Sequence, residues 1–466
     1  MVDPAPGKVS NVGARLSSAS WEICLPNRQC RLPEDPPPFN MRVMSPTFPE
    51  AIATWTRIGL LSFGGPAAQI GLMHRILVDE KKWLPEDKYL SALSFCMLLP
   101  GPEAMQLATY AGWRLHGVKG GLAAGLMFVL PGAAVVLALA AIYAAFGNVP
   151  LVQAVFFGVK AAVLVIVIEA LLRIARRALK LNEHWVFAAL SFAGIFFLGL
   201  PFPLIVFAAA LFGFFRATAG IAKTQPLPAV ALSQTVRTAA TWATIWIAPL
   251  LAVAAIFGPQ SVPAQLGLFF SKLAVVTFGG AYAVLAYMGQ DVAQHYHWLT
   301  AGQMMDGLGL AETTPGPLIL VTEFVGFIAA FQQAGGGSWG SGLLGAAIAL
   351  WATFAPCFLW IFTGAPYIDW IIAQPRLKGA LAAITAAVVG VILNLTVWFA
   401  LHVFFGRVDL LTVGPLQLWT PTLSTLDWRV VALSVISGVL LLGRHWNIAA
   451  VLGVAATLAV LLRAGT

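Results

Sequence analysis

Leu122–Phe146, Leu151–Leu172, Ala239–Phe257, Leu343–Phe362 and Gly379–Phe405 are apolar runs, each about as long as the roughly 20 residues that carry a helix through a bilayer. Lipid offers the backbone no hydrogen-bonding partner, so such runs fold as helices. Composition agrees: 59% of the residues are hydrophobic, 10% are charged and mean hydropathy is +0.84, whereas an average soluble domain is about one quarter charged. The chain reads as an all-α polytopic membrane protein. Its net charge of +8 needs no nucleic-acid partner, because basic residues gather in the cytoplasmic loops of membrane proteins. Four cysteines (Cys24, Cys30, Cys96, Cys357) show no metal-ligand spacing, so neither a metal nor a disulfide framework is expected. A nucleotide-binding GxxxxGK[ST] is absent, which argues against an ATP-driven pump within this chain. Residues 1–45, with their proline-rich "PEDPPPFN", read as a disordered cytoplasmic tail without a cleaved signal.

The chain repeats itself. Phe63-Gly64-Gly65, Trp83-Leu84 and Pro100-Gly101-Pro102 return 215 residues later as Phe278-Gly279-Gly280, Trp298-Leu299 and Pro315-Gly316-Pro317. Beyond a glycine-rich insertion the offset becomes 225, pairing Pro131 with Pro356 and Ala161-Ala162-Val163 with Ala386-Ala387-Val388. Loop charge is mirrored between the copies. Arg75, Lys81, Lys82 and Lys88 face a second-half stretch without Lys or Arg; "FGNVPLVQ" has no base where its counterpart has Arg376 and Lys378; Arg173, Arg176, Arg177 and Lys180 face "WFALHVFF". By the positive-inside rule the halves run through the membrane in opposite senses. Inverted repeats with broken helices are an architecture of secondary transporters, whose sites lie at the repeat interface. The expected organisation is a tail (1–45), a first repeat (46–222), a connecting segment with a linking transmembrane helix (223–264) and a second repeat (265–466).

With "LLSFGGPAAQIGLMH", "LPGPEAMQLATYAGWRLHG" and "VLPG" in one half and "VTFGGAYAVL", "GLGLAETTPGPL" and "TEFVGF" in the other, the sequence resembles the chromate ion transporter (CHR) family in its long, two-domain form. The resemblance spans roughly residues 50–460. It implies a multi-pass protein of the bacterial inner membrane that exports chromate, with sulfate as the structural mimic. Expected partners are that oxyanion and the lipid bilayer, without nucleic acid, and a homodimer is compatible with the sequence. A membrane-embedded oxyanion reductase is the competing class, but the chain lacks CxxCH, an Fe–S cysteine cluster and GxGxxG after a strand, so neither cofactor nor catalytic residues are expected.

A dianion crossing lipid must exchange its water for protein donors, since leaving it bare costs tens of kcal/mol. Pro-Gly-Pro within apolar sequence breaks a helix and starts another, whose N-terminus offers N–H groups and a positive dipole end. Pro100, Gly101, Pro102, Pro315, Gly316 and Pro317 are therefore candidate binding residues, against the alternative of a mere kink. Gly64, Gly65, Gly279 and Gly280 join them, unless they only permit close helix packing. The shared pattern [RK]-x4-[ST]-F-G-G adds Arg57 with Ser62 and Lys272 with Thr277, one cation and one hydroxyl per half, although both bases could snorkel. Lys160, in the middle of "VFFGVKAAVLVIVIEAL", is costly in lipid and so a further candidate, whose repeat partner is Thr385. Glu103 and Glu312 flank the two Pro-Gly-Pro turns and are candidates for proton coupling, unless each only neutralises a nearby base; Asp306, Glu323 and Glu169 also sit in apolar context. Basic residues flank Tyr89–Gly112 on both sides, which predicts a re-entrant hairpin with Pro-Gly-Pro at its tip.

Overall fold

Helices start and stop at the glycines and prolines that punctuate the apolar text. The computed structural model describes residues 46–217, 231–278, 281–333 and 337–464, and the expected tail lies outside them. Helix α1 (Phe48–Leu61) ends just before Phe63-Gly64-Gly65, after which α2 (Gly65–His74) passes into a π-helical turn, Arg75–Glu80. Next, α3 (Glu86–Cys96) leads to Pro100-Gly101-Pro102, and α4 (Glu103–Phe146) begins on the following residue. Non-helical backbone at His116 and Gly117 folds α4 into a short and a long arm. The half closes with α5 (Pro150–Ala178), α6 (Asn182–Phe196) and α7 (Phe202–Arg216). A linking helix, α8 (Leu232–Phe257), follows.

The second half repeats this order: α9 (Val262–Val276), α10 (Ala281–Gln290) with its π-helical turn Asp291–His295, and α11 (Ala301–Thr313) up to Pro315-Gly316-Pro317. A 3₁₀ turn (Leu318–Leu320) and α12 (Val321–Gln333) match the short arm of α4, and α13 (Trp339–Gly364) matches the long one. After a short α14 (Ile368–Ala373), α15 (Pro375–Phe404) matches α5. The correspondence reaches single residues: Lys82 and His297 share a left-handed φ of 53° and 51°, each just before a buried Trp-Leu pair. One element departs from the all-helical expectation. An antiparallel hairpin, β1 (Val408–Val413) with β2 (Leu416–Pro421), separates α15 from α16 (Trp428–Gly438) and α17 (Ile448–Ala464). Its strands are rich in Val, Leu and Thr and turn at Gly414-Pro415, a local pattern that favours strands over helix.

Contacts between element ends fix the path through the membrane. Lys81 Nζ lies 2.8 Å from Glu50 Oε1, joining the start of α1 to the end of the π-turn after α2. Phe48 stacks edge-on against His116 at the bend of α4. Both the α1–α2 pair and the α3–short-arm pair therefore enter and return on one face, the basic one. At 1.5 Å per residue, the 14 residues of α1 and 11 of α3 rise about 21 and 16 Å, too little for a hydrocarbon core of about 30 Å. They are re-entrant. The long arm of α4 and then α5 are long and apolar enough to cross fully, and α6–α7 returns to the basic face, where Arg216 pairs with Glu183 at 2.9 Å. Half one thus begins and ends on the same side, and the single crossing of α8 starts half two on the other. This is what inverts the repeat. Cysteines placed singly at Lys82 and His297 should react with an impermeant reagent from opposite sides of the membrane, and equal accessibility from one side would refute the inversion.

The halves also exchange their closing helices. Helix α5 packs against α16 and α17, while α15 packs against α6 and α7. Backbones meet at small residues, Gly158 against Ala455 and Gly213 against Gly379, as expected where lipid supplies no hydrophobic drive between helices and close van der Waals contact must do so.

Candidate functional site

The re-entrant tips meet across the repeat. Gly101 N–H donates to the Thr277 carbonyl at 3.0 Å, and Gly316 N–H donates to the Ser62 carbonyl at 2.8 Å. Each Pro-Gly-Pro turn is therefore closed by the Ser/Thr-Phe-Gly-Gly turn of the other half. The long helices complete the symmetry: Gly101 lies against Cys357 and Gly316 against Gly132, positions that correspond in the repeat. Both turn glycines hold φ values that side chains disfavour, 112° and 95°, so a larger residue at either position would be strained. Ser62 and Thr277 are buried, their hydroxyls bonded to Ile58 and Leu273 one helical turn back.

Two buried amides reinforce the turns. Gln69 Nε2 donates to the Gly316 carbonyl at 2.6 Å and to the Ser62 carbonyl at 3.3 Å, and Gln106 Nε2 donates to the Pro100 carbonyl at 2.6 Å. Their Oε1 atoms are buried without a partner among the described residues. Reading the repeat for duplicated residues misses both, because their counterparts are Val284 and Val321. The signal that could have found them is a lone amide in the first two turns of an apolar helix that starts at a break. A cavity of about 20 Å³ lies among Gly101, Pro102, Thr277, Ile319 and Thr353, room for one water. The turns are closed.

The remaining candidates lie elsewhere. Arg57 and Lys272 do not form a paired-cation site at the turns: Arg57 is half exposed with its guanidinium 3.4 Å from Glu80, and Lys272 lies 5.6 Å above the Tyr287 ring. The reason is geometric: residues related by an inverting axis meet only close to it, and these two stand six residues down helices that diverge from the tips toward opposite faces. Glu103 opens α4 half-buried next to the first turn. Gly64 and Glu312 line a cavity of about 560 Å³ with Glu169 and Arg173, and Tyr282 donates to Glu312 at 2.8 Å. Lys160 faces a different cavity, of about 330 Å³, with Asp306 and Tyr143. Gly65 opens α2, whereas Gly279 and Gly280 lie outside the described residues.

Two inverted halves whose helix N-termini converge suit the handling of an anion. A family model described as chromate transporter matches residues 50–214 and 264–461, one segment in each half. The chain belongs to the chromate transporter family. A chromate transport protein of Pseudomonas aeruginosa is 34% identical over 389 residues, 81% of this chain and 85% of that protein. Another, of Cupriavidus metallidurans, is 31% identical over 350 residues, 74% and 81% of the two chains. An uncharacterized transporter of Methanocaldococcus jannaschii is 27% identical over 350 residues, 75% and 84%. No solved structure matches the chain. For this chromate transporter family member, the matched segments contain all four re-entrant tips.

Proposed function

We propose that the protein exports chromate, with sulfate as a competing tetrahedral anion, across the bacterial inner membrane by alternating access, with its basic face in the cytoplasm. The observation that carries this reading is the cross-repeat pairing of Gly101 and Gly316 N–H groups with carbonyls of the opposite half. In the closed state those donors are satisfied by protein. When the turns part, an oxyanion takes the place of the two carbonyls, and Gln69 and Gln106 lie one side chain away to add donors. Hydrogen bonds to a charged oxygen are about twice as strong as neutral ones, so the anion favours the parted arrangement that holds it. Parting toward one face or the other exposes the same donors to opposite sides, which is alternating access. Competition by other oxyanions follows, because the donors recognise tetrahedral charge and nothing peculiar to chromium.

Glu103 and Glu312 are the proposed proton-coupling groups. A carboxylate beside a bound dianion raises its energy unless protonated, so proton and anion occupancy are linked, each favouring the other. The test is chromate accumulation in everted vesicles under a pH gradient at fixed potential. Wild type should respond to the gradient and Glu103→Gln, a mimic of the protonated form, should transport without responding. A gradient response unchanged in Glu103→Gln would place coupling elsewhere, and no response in wild type would indicate a channel or an electrically driven carrier.

A further inference from the structure

We infer that Lys160 and Asp306 form an exchangeable anion lock on the face opposite the basic one: a second oxyanion subsite at which Asp306 holds the Lys160 ammonium until a tetrahedral anion replaces it. The inference rests on the oxyanion reading above, but the observations are separate from the central turns. Lys160 Nζ lies 3.4 Å from Asp306 Oδ2, longer than the 2.7–2.9 Å or so of a tight charge-assisted bond. The same oxygen receives a closer bond, 2.8 Å, from the Tyr143 hydroxyl. Asp306 is thus anchored by the phenol rather than by the lysine. Its side chain is only 4% exposed, whereas that of Lys160 is 29% exposed, facing a cavity of about 330 Å³ lined also by Asn148, Gln153 and Gln303. The carboxylate is the fixed member of the pair and the ammonium the movable one.

Three further features belong to a site rather than a staple. Asp306 Oδ1 is buried with no partner among the described residues, although a structural ion pair would be expected to satisfy both oxygens. A Cβ at position 302 would sit 3.0 Å from Lys160 Nζ, so the ammonium rests against Gly302. Neither member is duplicated, since the repeat sets Thr385 opposite Lys160 and Ser91 opposite Asp306; the pair therefore gives one face a chemistry the other lacks. Asp306 lies two helical turns before the end of α11, which runs directly into Pro315-Gly316-Pro317. An anion that takes Lys160 from Asp306 loosens α11 from α5, and with it the second turn.

Equilibrium binding of radiolabelled sulfate to the purified full chain tests the lock without requiring transport. Lys160→Gln should weaken the binding component at this face at least tenfold, Lys160→Arg should retain it, and Asp306→Asn, which removes the resident competitor, should strengthen it. The double variant Lys160→Gln with Asp306→Asn leaves no unpaired charge and should fold, yet still lack the component. Sulfate binding at wild-type strength in the double variant, or equal weakening by Lys160→Gln and Asp306→Asn, would overturn the proposal. A wild type that binds sulfate through Lys160 but moves no chromate would refute the transport reading and leave the subsite standing.

Discussion

Gly316→Val and Gly101→Val should each lower chromate flux by roughly 30- to 5,000-fold while the protein still inserts and remains monodisperse. Both residues hold left-handed backbone, with φ of 95° and 112°, which costs about 1–2 kcal/mol for any L side chain and more for a β-branched one. Space is also short. A Cβ at Gly316 would sit 2.9 Å from Leu320 Cδ1 and 3.3 Å from Gly132 Cα, and one at Gly101 3.0 Å from Gln106 Nε2 and 3.3 Å from Cys357 Sγ. Overpacking adds about 1–3 kcal/mol. If that total of about 2–5 kcal/mol falls on the geometry that presents the two N–H groups, each 1.36 kcal/mol removes a factor of ten. Gly71→Ala is the control, because nothing lies within 4 Å of a Cβ there and its flux should be that of wild type. Flux near wild type in both valine variants would separate the turns from transport.

The second large effect concerns the chain as a whole. Neither half should accumulate when expressed alone, whereas two polypeptides divided between residues 217 and 231 should reassemble when co-expressed and recover flux. Helix α5 of half one finds its packing partners α16 and α17 only in half two, and α15 finds α6 and α7 only in half one. Alone, each half would leave the small-residue seams at Gly158 and Gly379 without the backbone they meet, and would lack the carbonyl that closes its own Pro-Gly-Pro turn. A stable, monodisperse first half purified by itself would contradict the exchanged arrangement.

Much of this architecture was legible because its signals are local. Helix breakers at Pro100-Gly101-Pro102 and bases on both sides of Tyr89–Gly112 pointed to a re-entrant hairpin, and the contacts of Glu50 with Lys81 extend that description to the Phe-Gly-Gly pair. The mirrored loop charges carried the inversion for the same reason. What sequence did not reveal was which turn closes which. That pairing joins residues more than 150 positions apart chiefly through backbone atoms, and no duplicated side-chain pattern records it. Symmetry alone does not give proximity: Arg57 and Lys272 correspond in the repeat, yet correspondence places residues together only near the axis, and both stand away from the turns. Conversely, Gln69 and Gln106 act at the axis without a counterpart, so a search for duplicated residues passed over them. The β1–β2 hairpin lies just beyond the stretch "WFALHVFF", in residues on which no motif or loop-charge argument fell.

Flux of radiolabelled chromate in proteoliposomes of the purified protein, competed with sulfate, molybdate and phosphate, tests the central claim most directly. The account predicts saturable chromate flux above that of empty vesicles, inhibited by the other tetrahedral oxyanions and lost in both Gly101→Val and Gly316→Val. Flux indistinguishable from empty vesicles, or chromate flux that tetrahedral competitors leave untouched, would contradict it.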